Sequence, residues 1–138
     1  MRKVNKYERG QLIMGFIDVI KEKARADKKT IVLPESEDRR VLEATATILK
    51  EGLANVVLIG NEEQIKKDAA DLDIAGAIIV DPATSDKTQA YIDKLVELRQ
   101  KKGMTQEQAR EIMLNQRTYY GVMMVKMGDA DGMVSGAC

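Results

Sequence analysis

Residues 30–61, TIVLPESEDRRVLEATATILKEGLANVVLIGN, constrain the fold of this chain more than any other stretch. Thr30–Leu33 is a β-branched and aliphatic run with no polar break, as a strand buried on both faces requires. Pro34 ends it, because proline has no N–H to give to a central ladder. Ser36 is a good N-cap. Glu37 and Asp38 then fill a first helical turn, where carboxylates favour the positive end of the helix dipole. Val41, Leu42, Thr45, Ile48 and Leu49 recur at three- and four-residue steps on one helical face, and Gly52 supplies a C-cap. Asn55–Ile59 reads as a second buried strand, followed by a turn at Gly60 and Asn61. Two buried strands joined by a helix run parallel.

The turn after the first strand also excludes chemistry. A dinucleotide site needs G-x-G-x-x-G there, so that backbone N–H groups can approach a pyrophosphate. Pro34-Glu35-Ser36-Glu37-Asp38 instead brings three carboxylates, and no G-x-x-x-x-G-K-[ST] occurs anywhere in the chain. NAD binding and P-loop phosphate binding are excluded from this stretch.

The alternation continues on both sides. Residues 15–26 form an amphipathic helix with Phe16, Ile17 and Ile20 as its apolar stripe. A short helix is expected at 62–71 and a third strand at 77–80, ended by Asp81-Pro82. A long helix at 86–102 carries Tyr91, Ile92, Leu95 and Leu98 on one face and stops at Gly103. Thr105 caps a helix at 105–115. Residues 119–127 are almost wholly apolar and read as a buried helix, and 133–135 as a fourth strand ending at Gly136. The order predicts an open, mostly parallel α/β sheet with helices on both faces. The loop after Ser135-Gly136 should enter the ligand crevice of such a sheet, so the chain reads as the amino-terminal part of something larger.

Composition narrows the partners. Lys+Arg and Asp+Glu are both 22 in 138 residues, which gives no electrostatic ground for nucleic acid or an anionic membrane surface. No apolar run approaches the ~20 residues of a membrane helix. Residues 1–13 are charged and lack the apolar core of a signal peptide, so they read as a leader or extension ahead of a domain at 14–138. A single cysteine, Cys138, fits the cytoplasm, and with no histidine a zinc site is not expected.

Four runs in order, I-V-L-P-E-S-E-D-R-R-V-L-E-A, V-V-L-I-G-N, Y-I-D-K-L-V-E-L-R-Q-K-K-G-M-T and D-A-D-G-M-V-S-G-A, resemble the phosphate acetyltransferase (phosphotransacetylase) family over nearly all of residues 14–137. The resemblance implies reversible acyl transfer, acetyl-CoA plus phosphate giving acetyl phosphate plus CoA, in a cleft between two α/β domains of which this is the first. It implies small-molecule substrates, CoA among them, no covalently bound cofactor, no metal in the protein, and a homo-oligomer in the full-length form. It also places the catalytic residues beyond the end of this chain, with Cys138 standing just before an expected histidine. Catalytic residues in this portion are therefore none, and the isolated chain is expected to be inactive. The alternatives are a phosphate butyryltransferase and a non-catalytic module that senses acetyl-CoA or serves assembly.

The candidate substrate-binding residues are Arg99, Ser135 and Gly136. Arg99 stands at the edge of the apolar stripe of its helix. By spacing alone it is a surface arginine covering apolar area with its stem; the resemblance makes it a substrate ligand. Ser135 and Gly136 stand at the carboxyl end of a strand, where Gly136 permits close backbone approach to a ligand; Ser135 as a nucleophile lacks an activating group. Glu35, Glu37, Asp38 and Arg39 are explained by capping and local ion pairing, with shaping of the cleft rim as the other reading. Met113, Met123, Met124, Met127 and Met133 read as core. Tyr119 and Tyr120 read as domain-edge packing with one hydroxyl hydrated. Lys101, Lys102 and Arg110 read as a solvated face.

Overall fold

The computed structural model describes Lys3 and residues 5–136 of the chain. Its centre is β1 (Thr30–Leu33), which pairs in parallel with β2 (Asn55–Ile59) on one side and with β4 (Gly132–Met133) on the other. β3 (Ile78–Val80) extends the sheet beyond β2, giving the order β3-β2-β1-β4. Every pairing is parallel, as expected of strands without polar alternation.

The two-residue period of the strands divides the core. Val32, Val57 and Ile59 pack with α4 (Thr88–Arg99), α5 (Gln106–Asn115) and α6 (Arg117–Lys126). Leu33, Val56 and Leu58 pack on the opposite face, with α2 (Arg39–Glu51) and α3 (Glu62–Asp68). Helices thus cover both faces. The remaining helix, α1 (Lys6–Ala26), is held to the end of α2 by a hydrogen bond from Lys21 Nζ to Glu51 Oε1 at 2.8 Å and one from Arg25 Nε to the Glu51 carbonyl at 2.7 Å. Its stripe of Phe16, Ile17 and Ile20 is exposed.

Several expectations are corrected. The N-cap of α2 is Asp38, not Ser36: Asp38 Oδ1 accepts the Arg40 N–H at 2.9 Å, and the helix starts at Arg39. Ser36 is buried and donates its hydroxyl to the Ile59 carbonyl at 2.6 Å, so it closes the end of β2 instead. The helix expected from residue 15 already begins at Lys6, so residues 6–13 of the expected leader are helical. Met1, Arg2, Val4, Ala137 and Cys138 lie outside the described residues. The helix at 62–71 ends at Asp68 and the strand at 133–135 is Gly132–Met133, leaving Ser135 beyond it. α4 gives way after Arg99 to a 3-10 turn, Gln100–Lys102, before Gly103 at φ 77°.

α6 is not buried all round. Tyr120, Gly121, Met123 and Met124 face the core, whereas Tyr119, Val122 and Met127 face outward. Of the tyrosine pair, Tyr119 is exposed and Tyr120 is fully buried, its hydroxyl 2.9 Å from Thr88 Oγ1. Thr88 spends its one proton on the Pro82 carbonyl at 2.7 Å, so Tyr120 is the donor of the pair. Tyr91 meets Tyr120 edge-on, with ring centroids 5.0 Å apart. The Tyr91 hydroxyl donates to Asp129 Oδ2, tying α4 to the turn after α6. Burial, and then this carboxylate, push the Tyr91 phenol above its ordinary value. Met113, Met123 and Met124 are core and Met133 packs against it.

Candidate functional site

The chain steps from β1 to β2 to β3 in one direction, then returns across β1 to place β4 on its other side. The order therefore reverses between β1 and β4, and a crevice lined by Leu33, Glu35, Val134, Ser135 and Gly136 opens beside the loops that leave their carboxyl ends. This is the topological switch point, where open α/β sheets bind ligands. Residues 34–38 form one lip and residues 134–136 the other.

The lips are joined by one carboxylate. Glu35 Oε1 accepts the Ser135 hydroxyl at 2.6 Å and the Gly136 N–H at 2.6 Å. Gly136 makes this contact at φ 102°, a conformation that glycine alone adopts without strain. At the foot of the same pair of strands, Thr30 N–H donates to Asp131 Oδ2 at 2.8 Å and Asp131 N–H to the Thr30 carbonyl at 2.8 Å. The Val134 N–H then donates to the Val32 carbonyl at 3.0 Å. The second lip is thus anchored below and above Ser135.

The acidic turn does not stand uncompensated. Arg40 Nη2 lies 2.7 Å from Asp38 Oδ2, and this guanidinium together with the capped N–H holds the Asp38 carboxyl below the usual carboxylate range. Arg117, the first residue of α6, reaches across: its Nη1 donates to Glu37 Oε2 at 2.5 Å and to Ser36 Oγ at 3.4 Å. Arg39 points elsewhere, bonding the carbonyl of Asp68 at the end of α3, Asp71 beyond it and Glu43 on its own helix. Of the four residues of the turn weighed as rim, Glu35 lines the crevice, Glu37 pairs with Arg117, Asp38 caps α2, and Arg39 fastens α2 to α3.

Ser135 does have a carboxylate partner. A carboxylate is too weak a base for a serine hydroxyl, since an effective general base titrates near neutrality. The bond therefore orients the hydroxyl and leaves its lone pairs to accept from a ligand. From Ser135, Gly136 and Glu35 a groove of about 590 Å³ runs between α2 and β1. Ile31, Leu33, Val41, Ala44, Ile48 and Val56 line it, so it is almost wholly apolar.

The structure brings Ser135 and Gly136 together and does not bring Arg99 to them. Arg99 is the last residue of α4, exposed, on an element packed against the opposite sheet face. Its guanidinium makes no hydrogen bond or ion pair among the described residues. Arg117 and the bridging role of Glu35 are absent from the sequence reading. Their partners lie 80 to 101 residues away, and no local spacing reveals such a pair.

The profile of the phosphate acetyl/butaryl transferase family matches residues 15–138. The chain belongs to this family. It is 55% identical over 124 residues to the phosphate acetyltransferase of Acetivibrio thermocellus, covering 90% of this chain and 37% of that protein. It is 48% identical over 126 residues to the phosphate acetyltransferase of Clostridium acetobutylicum, with 90% and 38% covered. The EutD phosphotransacetylase from Staphylococcus aureus superposes with a TM-score of 0.81 at 36% identity, over 91% of this chain and 38% of that one. A phosphotransacetylase from Streptococcus pyogenes gives 0.82 at 35% identity, over the same shares. The chain thus spans little more than a third of the length of the relatives it matches.

Proposed function

We propose that this chain is the amino-terminal part of a phosphate acetyltransferase and forms one wall of the cleft where acetyl passes between CoA and phosphate. The observation that carries the reading is the crevice at the β1/β4 switch point, lipped by Ser135 and Gly136 and held by Glu35. The phosphate acetyltransferase name borne by the relatives supports acetyl over butyryl as the acyl group.

Ser135 and Gly136 have their role at that crevice, and Arg99, on the element packed against the other sheet face, has its role apart from them. The Ser135 oxygen accepts from the substrate, and Gly136, lacking a side chain, lets the substrate approach the backbone. Arg99 binds a substrate phosphate, which a guanidinium matches bidentately; its lack of a partner among the described residues leaves its donors available. CoA and acetyl phosphate are substrates, held without covalent attachment and without a metal. The full-length enzyme is a cytoplasmic homo-oligomer in this reading, with residues 1–13 an extension ahead of the domain at 14–138. The structural finding on location is narrower: among the described residues no helix is long and apolar enough to cross a membrane.

The isolated chain should not turn over. A CoA thiol with pKa ~8.5 needs a base near neutrality, and the tetrahedral oxyanion needs donors. With no histidine, the chain carries no side chain whose ordinary pKa lies there. The test is formation of acetyl-CoA from acetyl phosphate and CoA, by this chain and by a form extended to the length of its relatives. Activity in the extended form alone, with Arg99→Ala lowering kcat/KM about 10- to 100-fold, is the expected result. An extended, folded form with no acetyl transfer would sink the reading.

A further inference from the structure

Four successive residues of the loop after β1 are held by different parts of the molecule. Glu35 holds Ser135 and Gly136 beyond β4. Ser36 is buried and bonds the carbonyl of Ile59 at the end of β2. Glu37 holds Arg117 at the start of α6. Asp38 caps α2. A loop fixed at each residue transmits a displacement instead of absorbing it.

We infer that Arg117 is a positioning residue for the crevice: through Glu37 and Ser36 it sets the loop that aims Glu35 at Ser135 and Gly136. The guanidinium has a prepared seat. Gly60, in the turn after β2, has φ 151°, and a Cβ there would lie 2.9 Å from Ser36 Oγ and 3.4 Å from Arg117 Cζ. A side chain at position 60 would push both partners off the loop. Three elements therefore converge on the Arg117 contact: the start of α6, the turn after β2 and the loop after β1. Without Arg117, Glu37 keeps its charge two residues from Glu35 with nothing opposing it from α6. The repulsion then acts on the residue that bridges the lips.

Exposed ion pairs contribute little to global stability, so the effect belongs to local order. The readout is amide hydrogen exchange on the 138-residue chain, taking Gly136 relative to Val57 and Leu58 of the core strand β2. Arg117→Ala should speed exchange at Gly136 about 3- to 5-fold against that internal reference, as loss of an exposed pair allows. Glu35→Ala should remove the protection altogether. Exchanging the charges, Arg117→Glu with Glu37→Arg, should restore it. If the exchanged pair does not fold, Glu37→Gln serves instead: it keeps an acceptor oxygen without the charge and should fall between wild type and Arg117→Ala. An unchanged Gly136 ratio in Arg117→Ala overturns the inference. So does equal acceleration at Gly136, Val57 and Leu58, which marks a purely global role. The inference rests on the acyl-transfer reading only for its catalytic consequence. The exchange ratio needs no ligand, so a failed acetyl-transfer assay and a failed exchange experiment are told apart.

Discussion

Gly121 shows how a single methyl group is excluded. A Cβ there would lie 2.6 Å from Met133 Sδ, 3.2 Å from Val32 Cγ1 and 3.5 Å from Ile59 Cδ1. Met133 has a flexible end that can move, but Val32 is fixed in the central strand. Helix propensity alone would favour alanine over glycine by ~1 kcal/mol. Overpacking costs about 1–3 kcal/mol and acts against that gain. Gly121→Ala should therefore destabilise the chain, seen as a lower urea midpoint at unchanged slope. A raised midpoint would mean that α6 is free to lift off the sheet. Gly15 of α1, where a Cβ meets nothing within 4 Å, is the control at which the same change should stabilise.

The start of α2 is an element whose stability depends on pH. Arg40 holds the Asp38 carboxyl below its ordinary value, so the folded chain binds that proton less readily than the unfolded chain. The contribution is complete above the unfolded value of ~3.9 and is lost as pH falls through the lower folded value. Asp71 beside Arg39 and Glu51 beside Lys21 are lowered in the same direction. Urea midpoints should fall steeply below about pH 4. Asp38→Asn, which keeps the capping oxygen, should flatten that fall; an identical acid limb would refute the assignment. The sequence located this helix but misplaced its first residue, because Ser36 and Asp38 both cap well and only the buried bond to Ile59 separates them. β1 and β2 were legible to the residue, since each apolar run is closed sharply by Pro34 or Gly60. That a strand leads to Ser135 and Gly136 was legible, although it ends at Met133 and leaves both in the loop after it. The rim that holds them was not: Glu35, Glu37 and Arg117 had local explanations or none, and their contacts exist only once the sheet has formed.

At the scale of the molecule, apolar surface remains open among the described residues, in the groove between α2 and β1 and on the α1 stripe of Phe16, Ile17 and Ile20 among other places. Contiguous apolar surface drives association. Sedimentation velocity should show the 138-residue chain self-associating as concentration rises, and Ile48→Glu in the groove should weaken it; a monodisperse monomer at high concentration would contradict this. The placement of β4 has a further consequence, for synthesis. Val32 pairs with Met133, whereas the other neighbour of β1 follows within about two dozen residues. A chain made from its amino end at ~5–20 residues per second can close the β1-α2-β2 unit early, while the far edge of β1 stays bare for roughly 4–15 s more. In that interval the central strand is itself an edge strand, with unpaired backbone facing water. A ribosome pause between Asn115 and Gly132 would prolong that exposure, so the hazard to correct folding depends on translation speed as well as on sequence.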